Sequence, residues 1–288
     1  MVITIPVLEI GGSHVTAALV DLDTARVERR YDLGVVPDAD RDTLLGRFVA
    51  AGQQLGLGEG RVWGVAIPGP FEYEHGVGRF TGVGKFESLN GVDVGSALRD
   101  QLGATAIRFV NDADAFGIGE AAVGAARGHA RALCLTLGSG VGSTFLADGL
   151  PVKSGDQVPP NGYVYTLSYN GRDLEDSMSR RALRRAYRLA TGRNVDVAEI
   201  AQLVRNGDAE AARVWEAGFA ALTGAIAPWI RRFGADIVVV GGAIATSWDL
   251  VGTAVAGGFA AASAPVVVVP AARPKDAALF GTARWAQT

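Results

Sequence analysis

Leu8-Glu9-Ile10-Gly11-Gly12-Ser13, continuing to Asp21, has a second copy about 127 positions on, at Leu135-Thr136-Leu137-Gly138-Ser139-Gly140, continuing to Asp148. Leu8 falls on Leu135, Gly11 on Gly138 and Asp21 on Asp148 without a gap, and apolar residues fill most positions between. Each copy reads as a strand, a glycine turn and a returning strand. Chance matching competes with this reading in a chain of 39 glycines. Agreement in spacing over a whole hairpin argues instead for two homologous half-domains.

Outward from the first copy, residues 2–10, 14–21 and 26–33 read as three strands, the last alternating charge and bulk like an edge. Residues 38–42 offer helix caps before 44–55, and 61–67 is a buried-type strand ended by Pro68-Gly69-Pro70. A helix over 92–102, a short apolar strand over 106–110 and a helix starting at Asp112 or Asp114 follow. That order predicts a mixed sheet with helices on its faces. After the second copy comes a polar, proline-containing stretch, 154–176. Trp215, Phe219, Leu222, Ile226, Trp229 and Phe233 then mark one helix face, read as core, which Pro228 is expected to kink or break. Residues 236–240, closed by Gly241-Gly242, and 266–269 are further strands, and 277–286 a terminal helix.

Composition narrows the classes. The 288 residues are 49% hydrophobic and 20% charged, the balance of a globular chain. One cysteine excludes an intramolecular disulfide and a cysteine-rich zinc site. A net charge of −3 and a pI near 5.7 give no global field for nucleic acid. Mean hydropathy is +0.21, yet no run of about 20 residues is free of Gly, Pro or charge, so no membrane span is expected. The amino terminus shows no signal-like pattern, and a soluble cytoplasmic protein is expected.

Three glycine turns follow buried-type strands: Gly11-Gly12-Ser13, Gly138-Ser139-Gly140 and Gly241-Gly242-Ala243. Glycine there lets backbone N–H groups approach an anion, with Ser13, Thr136 and Ser139 hydroxyls beside them. A tight turn alone also asks for glycine. Three such turns, two in a duplicated unit, point to a nucleotide polyphosphate held between half-domains. Walker A and dinucleotide fingerprints are absent. Asn111-Asp112 lies just past a strand end, where a carboxylate can accept the proton of an attacking hydroxyl and an amide can fix it. The plainer reading is that Asp112 or Asp114 caps the next helix. Glu9 puts a carboxylate in an apolar strand, which asks for a partner such as Mg²⁺ or its water shell, or else for an edge position open to solvent. His14, His75 and His129 have no metal-ligand spacing, and the arginine run 180–188 reads as a solvated helix face.

These segments together resemble the ROK family of sugar kinases, in the actin-like ATPase superfamily. Glu9-Ile10-Gly11-Gly12-Ser13 with Asp21 is similar to its first phosphate motif. Asn111-Asp112-Ala113 with Gly119-Glu120-Ala121 resembles its catalytic segment, Leu135 to Gly142 its second phosphate motif, and Val238-Val239-Val240-Gly241-Gly242 its adenosine motif. The segment 279–283 is similar to its small C-terminal glycine-containing segment. The matches run in family order over nearly the whole chain. The resemblance implies an α/β fold of two actin-like (ribonuclease H-like) domains with mixed sheets flanked by helices, 1–111 plus about 275–288, and 112–274. It implies an ATP-dependent kinase for a monosaccharide, glucokinase-like, with Asp112 as general base and Asn111 on sugar hydroxyls. Gly69, Lys85 and Glu175 are further substrate-side candidates. Gly11, Gly12, Ser13, Thr136, Gly138, Ser139 and Gly140 would meet the phosphates, Gly241 and Gly242 the adenosine, and Glu9 the Mg²⁺. Family members are often dimers, so a homodimer is also implied.

The departures are specific. Glu9 stands where the family usually has Asp, and His14 where Lys is common. The zinc-binding cysteines are missing, Cys134 being the only cysteine, and so is the Gly-Glu-x-Gly-His sugar motif, in whose place stands Val158-Pro159-Pro160-Asn161-Gly162-Tyr163. This marks a zinc-free branch. Glu175 is the loosest of the matches. Some relatives are repressors with an N-terminal DNA-binding segment. The first strand begins at about residue 2, leaving no room for one, so the alternative is a catalytically silent sugar-sensing or regulatory protein.

Overall fold

The computed structural model describes residues 4–288, so residues 2 and 3 of the expected first strand lie outside the described residues. The chain divides into two units, each with its own five-stranded sheet. The first contains β1 (Thr4–Ile10), β2 (His14–Asp21), β3 (Arg26–Gly34), α1 (Arg41–Gln53) and β4 (Val62–Ile67). A short hairpin, β5 (Phe71–Glu72) and β6 (Val77–Gly78), then leads to α2 (Val94–Gln101), β7 (Ala106–Asn111) and α3 (Asp112–Val123). The second unit runs through β8 (Arg131–Leu137), β9 (Val141–Ala147), β10 (Leu150–Pro151), the hairpin β11 (Ser168–Tyr169) and β12 (Arg172–Asp173), and α4 (Leu174–Ser177). It continues with α5 (Arg180–Thr191), α6 (Val197–Arg205), α7 (Ala209–Phe233), β13 (Ile237–Gly241), α8 (Trp248–Ala261) and β14 (Val267–Pro270). The last helix, α9 (Ala277–Trp285), belongs to the first unit.

The two sheets have matching orders, β3-β2-β1-β4-β7 and β10-β9-β8-β13-β14. In each the repeated hairpin is antiparallel and its first strand pairs in parallel with a later one. The duplication is therefore real at the level of pairing, but not gap-free. In the first copy Ile10 pairs with Val15 and Thr4 with Asp21, whereas in the second Leu137 pairs with Val141 and Arg131 with Ala147. The second turn is one residue shorter. Asp21 corresponds to Ala147, and Asp148 lies one step beyond, at a positive φ in the following turn.

Alternation sorts the faces of the first sheet. Leu8 and Ile10 pack with Leu44 and Phe48 of α1, while Val7, Ala18 and Val20 pack with Leu279 and Phe280 of α9. The Asp40 side chain accepts the Thr43 N–H at 2.9 Å and so starts α1. α3 lies against α9, which groups it with the first unit and sets the division at Val123 rather than after Asn111.

In the second unit, Trp215, Phe219, Leu222, Ile226 and Phe233 are buried as the face pattern predicts, against Leu133, Leu135 and Val240 of the sheet. Pro228 does not break α7, which is continuous over 25 residues. An internal proline costs about 3 kcal/mol. Burial of Ile226, Ile230 and Phe233 on either side contributes about 1.5–3 kcal/mol each, which outweighs it. Among the described residues no helix is long and apolar enough to cross a membrane.

Candidate active site

In the first unit Asn111 ends β7 and Asp112 opens α3. The capping role goes to Asn111. Its Oδ1 accepts the N–H groups of Ala113 (3.0 Å) and Asp114 (3.3 Å), satisfying donors that the first helical turn leaves unpaired. Its Nδ2 donates to the Tyr73 hydroxyl at 3.0 Å. Asp112 Oδ1 accepts the Ala113 N–H at 2.9 Å, but the residue itself is exposed. Crowding that removes water from its surroundings pushes the Asp112 carboxyl above the usual carboxylate range, and the nearby Lys85 ammonium pulls it back. A carboxyl raised in pKa is a better proton acceptor than an ordinary surface aspartate. Lys85 is half-buried, and Gly69 adjoins Tyr73, where an added Cβ would come within 3.3 Å of the hydroxyl oxygen.

Glu9 is not at an edge. It sits on the middle strand, paired with Thr16 on one side and Ala66 on the other, and is half-buried. Its carboxyl is pushed up to about 7, chiefly by burial; Arg30 opposes the shift and Asp112, Asp32 and Asp276 add to it. The same row of the sheet runs from Glu9 through Thr16 to Asp32, whose Oδ1 accepts the Thr16 hydroxyl proton at 2.5 Å. Arg30 holds Asp32 at 3.0 and 3.1 Å and reaches Asp276 at 3.1 Å and the Lys275 carbonyl at 3.2 Å. Sequence reasoning missed Arg30, Asp32, Asp276 and Tyr73. Residues 30 and 32 share a face of an alternating strand, the one signal that was available for them.

The first glycine turn is closed by the Gly11 N–H donating to the His14 carbonyl at 2.8 Å, leaving Gly12 and Ser13 exposed. In the second unit the Gly138 N–H donates to the Gly140 carbonyl at 3.0 Å, and the Gly138 carbonyl accepts the Arg180 N–H at the start of α5, 2.8 Å away. Ser139 is exposed at the tip. Thr136 pairs with Gly241 across β8 and β13, so the Gly138–Gly140 turn and the Gly241-Gly242 turn are neighbours. Gly242 has φ 87°, and a side chain there would overlap the Leu137 backbone, so this glycine is required for packing. Glu175 lies on the second turn itself: its Oε1 accepts the Val141 N–H at 3.1 Å and fills the space where Gly140 has no Cβ.

Where the family's sugar motif is missing, Tyr163 and Tyr165 stack at 5.5 Å, with Lys153 4.6 Å from the Tyr163 ring. Cys134 is buried in β8. Among the described residues no group of three or more His, Cys, Asp or Glu is placed to hold a metal ion. His14 and His75 are exposed, and His129 pairs with Asp236 at 3.0 Å.

A family model described as "ROK family" matches residues 6–288. The chain is 26% identical over 267 residues to a glucokinase of Thermotoga maritima, covering 84% of this chain and 83% of that protein. Its fold matches a ROK family glucokinase of Streptomyces griseus, solved with glucose and AMPPNP, at a TM-score of 0.77 and 18% identity over 99% of both chains. It also matches a ROK family transcriptional regulator, a homolog of an E. coli protein, at a TM-score of 0.81 and 18% identity, covering 99% of this chain and 78% of that one.

Proposed function

The chain belongs to the ROK family, and from that premise we propose that it is an ATP-dependent sugar kinase, transferring the γ-phosphate of ATP to a hydroxyl of a monosaccharide. The observation that carries the reading is the Asn111-Asp112 pair. One member is locked in orientation by its cap and by Tyr73, and the other carries a carboxyl held above its ordinary range. Asn111, whose side chain hydrogen-bonds Asp112, binds the acceptor hydroxyl through its amide, and Asp112 takes the proton of that hydroxyl as the new bond to phosphorus forms. Lys85 opposes the upward shift and so favours the ionised form of Asp112.

In the first unit Gly12 and Ser13 offer backbone and hydroxyl donors of the kind phosphate oxygens accept; in the second, Ser139 and Gly140 do the same, beside the Gly241-Gly242 turn that would border an adenosine. Glu9 is the carboxylate that would meet Mg²⁺ through its water shell, Asp32 and Asp276 beside it being tied to Arg30. When bound, that ion neutralises charge on the transferring phosphate.

A coupled assay of ADP release over a panel of aldoses, ketoses and amino sugars tests the reading. Release that depends on one sugar class is expected. Sugar binding without ADP release in any arm would favour the silent, sensing protein, to which the likeness to a regulator gives a specific basis.

A further inference from the structure

We propose that Tyr73 is the positioning residue of the Asn111-Asp112 pair. It fixes the Asn111 amide so that the pair takes an incoming hydroxyl in one polarity only, oxygen towards Asn111 and proton towards Asp112. The inference rests on the proposed function of that pair and adds a residue that no motif contains.

The argument is one of donors and acceptors. Tyr73 donates its hydroxyl proton to the Ile67 carbonyl, 3.3 Å away at the end of β4. A phenol has one proton, so towards Asn111 this oxygen acts as acceptor, and it receives the Nδ2 hydrogen at 3.0 Å. The other end of the same amide is identified by backbone groups that can only donate, the Ala113 and Asp114 N–H. Oxygen and nitrogen of Asn111 are therefore distinguished from both sides, and the amide so oriented also hydrogen-bonds the Asp112 carboxyl. Ile67 and Asn111 are direct neighbours across β4 and β7, so Tyr73 ties together the ends of two adjacent parallel strands at the point where the reacting groups emerge.

The ring is held in turn. Phe71 packs against Tyr73 with centroids 5.5 Å apart and against Phe109 of β7 at 4.9 Å. Asn111 is only 8% exposed, so its amide has little water with which to replace a lost partner. Gly69 leaves room for the phenol: a Cβ at that position would press on the hydroxyl oxygen at 3.3 Å. This accounts for the glycine between Pro68 and Pro70 without requiring it to touch substrate.

A double-mutant cycle tests the inference. Tyr73→Phe removes one oxygen and keeps the ring, so folding is preserved. It is expected to lower kcat/KM for the sugar about tenfold with the KM for nucleotide unchanged. In an Asn111→Ala background the same change is expected to have an effect below about twofold, because the group it acts through is gone. An equal effect in both backgrounds, or none in the wild type, would overturn the proposal. If the wild type transfers no phosphate, it is the proposed function that fails, and the positioning role is then read from the Asn111 side-chain amide resonances. These must shift in Tyr73→Phe while the far-UV circular dichroism stays constant; unshifted resonances would overturn it.

Discussion

Glu9 shows how one carboxyl links sequence, stability and site. Its ordinary value is 4.5 and its folded value about 7. Between those values the folded state keeps a proton that the unfolded state has lost, so stability falls as pH rises through this window and is flat above it. Glu9→Gln removes that slope. The variant is expected to match the wild type at pH 4.5 and to exceed it by up to about 3 kcal/mol at pH 8, read by urea denaturation at both values. Equal stabilities at pH 8 would show that the carboxyl is not under strain.

Asp112 responds to its neighbour in the same way. Lys85 lowers its raised pKa, so Lys85→Met is expected to move the acid limb of the activity profile to higher pH. A limb that stays in place would remove Lys85 from the role given to it. At this scale the residues in motifs were legible and those reached through space were not. Asn111 and Asp112 stand together in the chain, but Tyr73 comes from a loop 38 positions away and Asp276 from the far end. Only folding brings Tyr73 to the Asn111 amide and Asp276 to Arg30.

Among the elements, the crossing of α3 and α9 decides where Asp112 stands. A Cβ at Gly119 would overlap the Ala277 carbonyl, and one at Gly281 the Ala115 carbonyl, so the helices touch backbone to backbone. Gly119→Ala or Gly281→Ala is expected to destabilise by about 3 kcal/mol, since neither backbone can yield easily. Gly257→Ala in α8 meets nothing within 4 Å and serves as control, with a gain of about 0.5–1 kcal/mol from helix propensity. Thermal melts of the three variants check this, and a small loss at both crossing positions would contradict it.

The strands flanking glycine turns were readable because alternation and turn chemistry are local signals. The continuity of α7 through Pro228 was not, because packing on both sides overrides a local rule. The gap in the repeat was hidden for a related reason. One-residue differences in a turn leave a matching pattern in the letters, and only strand pairing exposes the slip.

At the scale of the molecule, a duplicated sheet order and a family model over residues 6–288 agree on what the chain is. They do not by themselves separate an enzyme from a sensor, because kinases and a regulator share the fold. The difference must lie in whether the Asn111-Asp112 pair performs chemistry. The most direct measurement is the rate of sugar-dependent ADP release by the wild type and by Asp112→Asn, with sugar binding to both followed by calorimetry. The account predicts that the variant still binds sugar while turnover falls at least about 100-fold, as for a lost general base. Turnover by Asp112→Asn at the wild-type rate would contradict it.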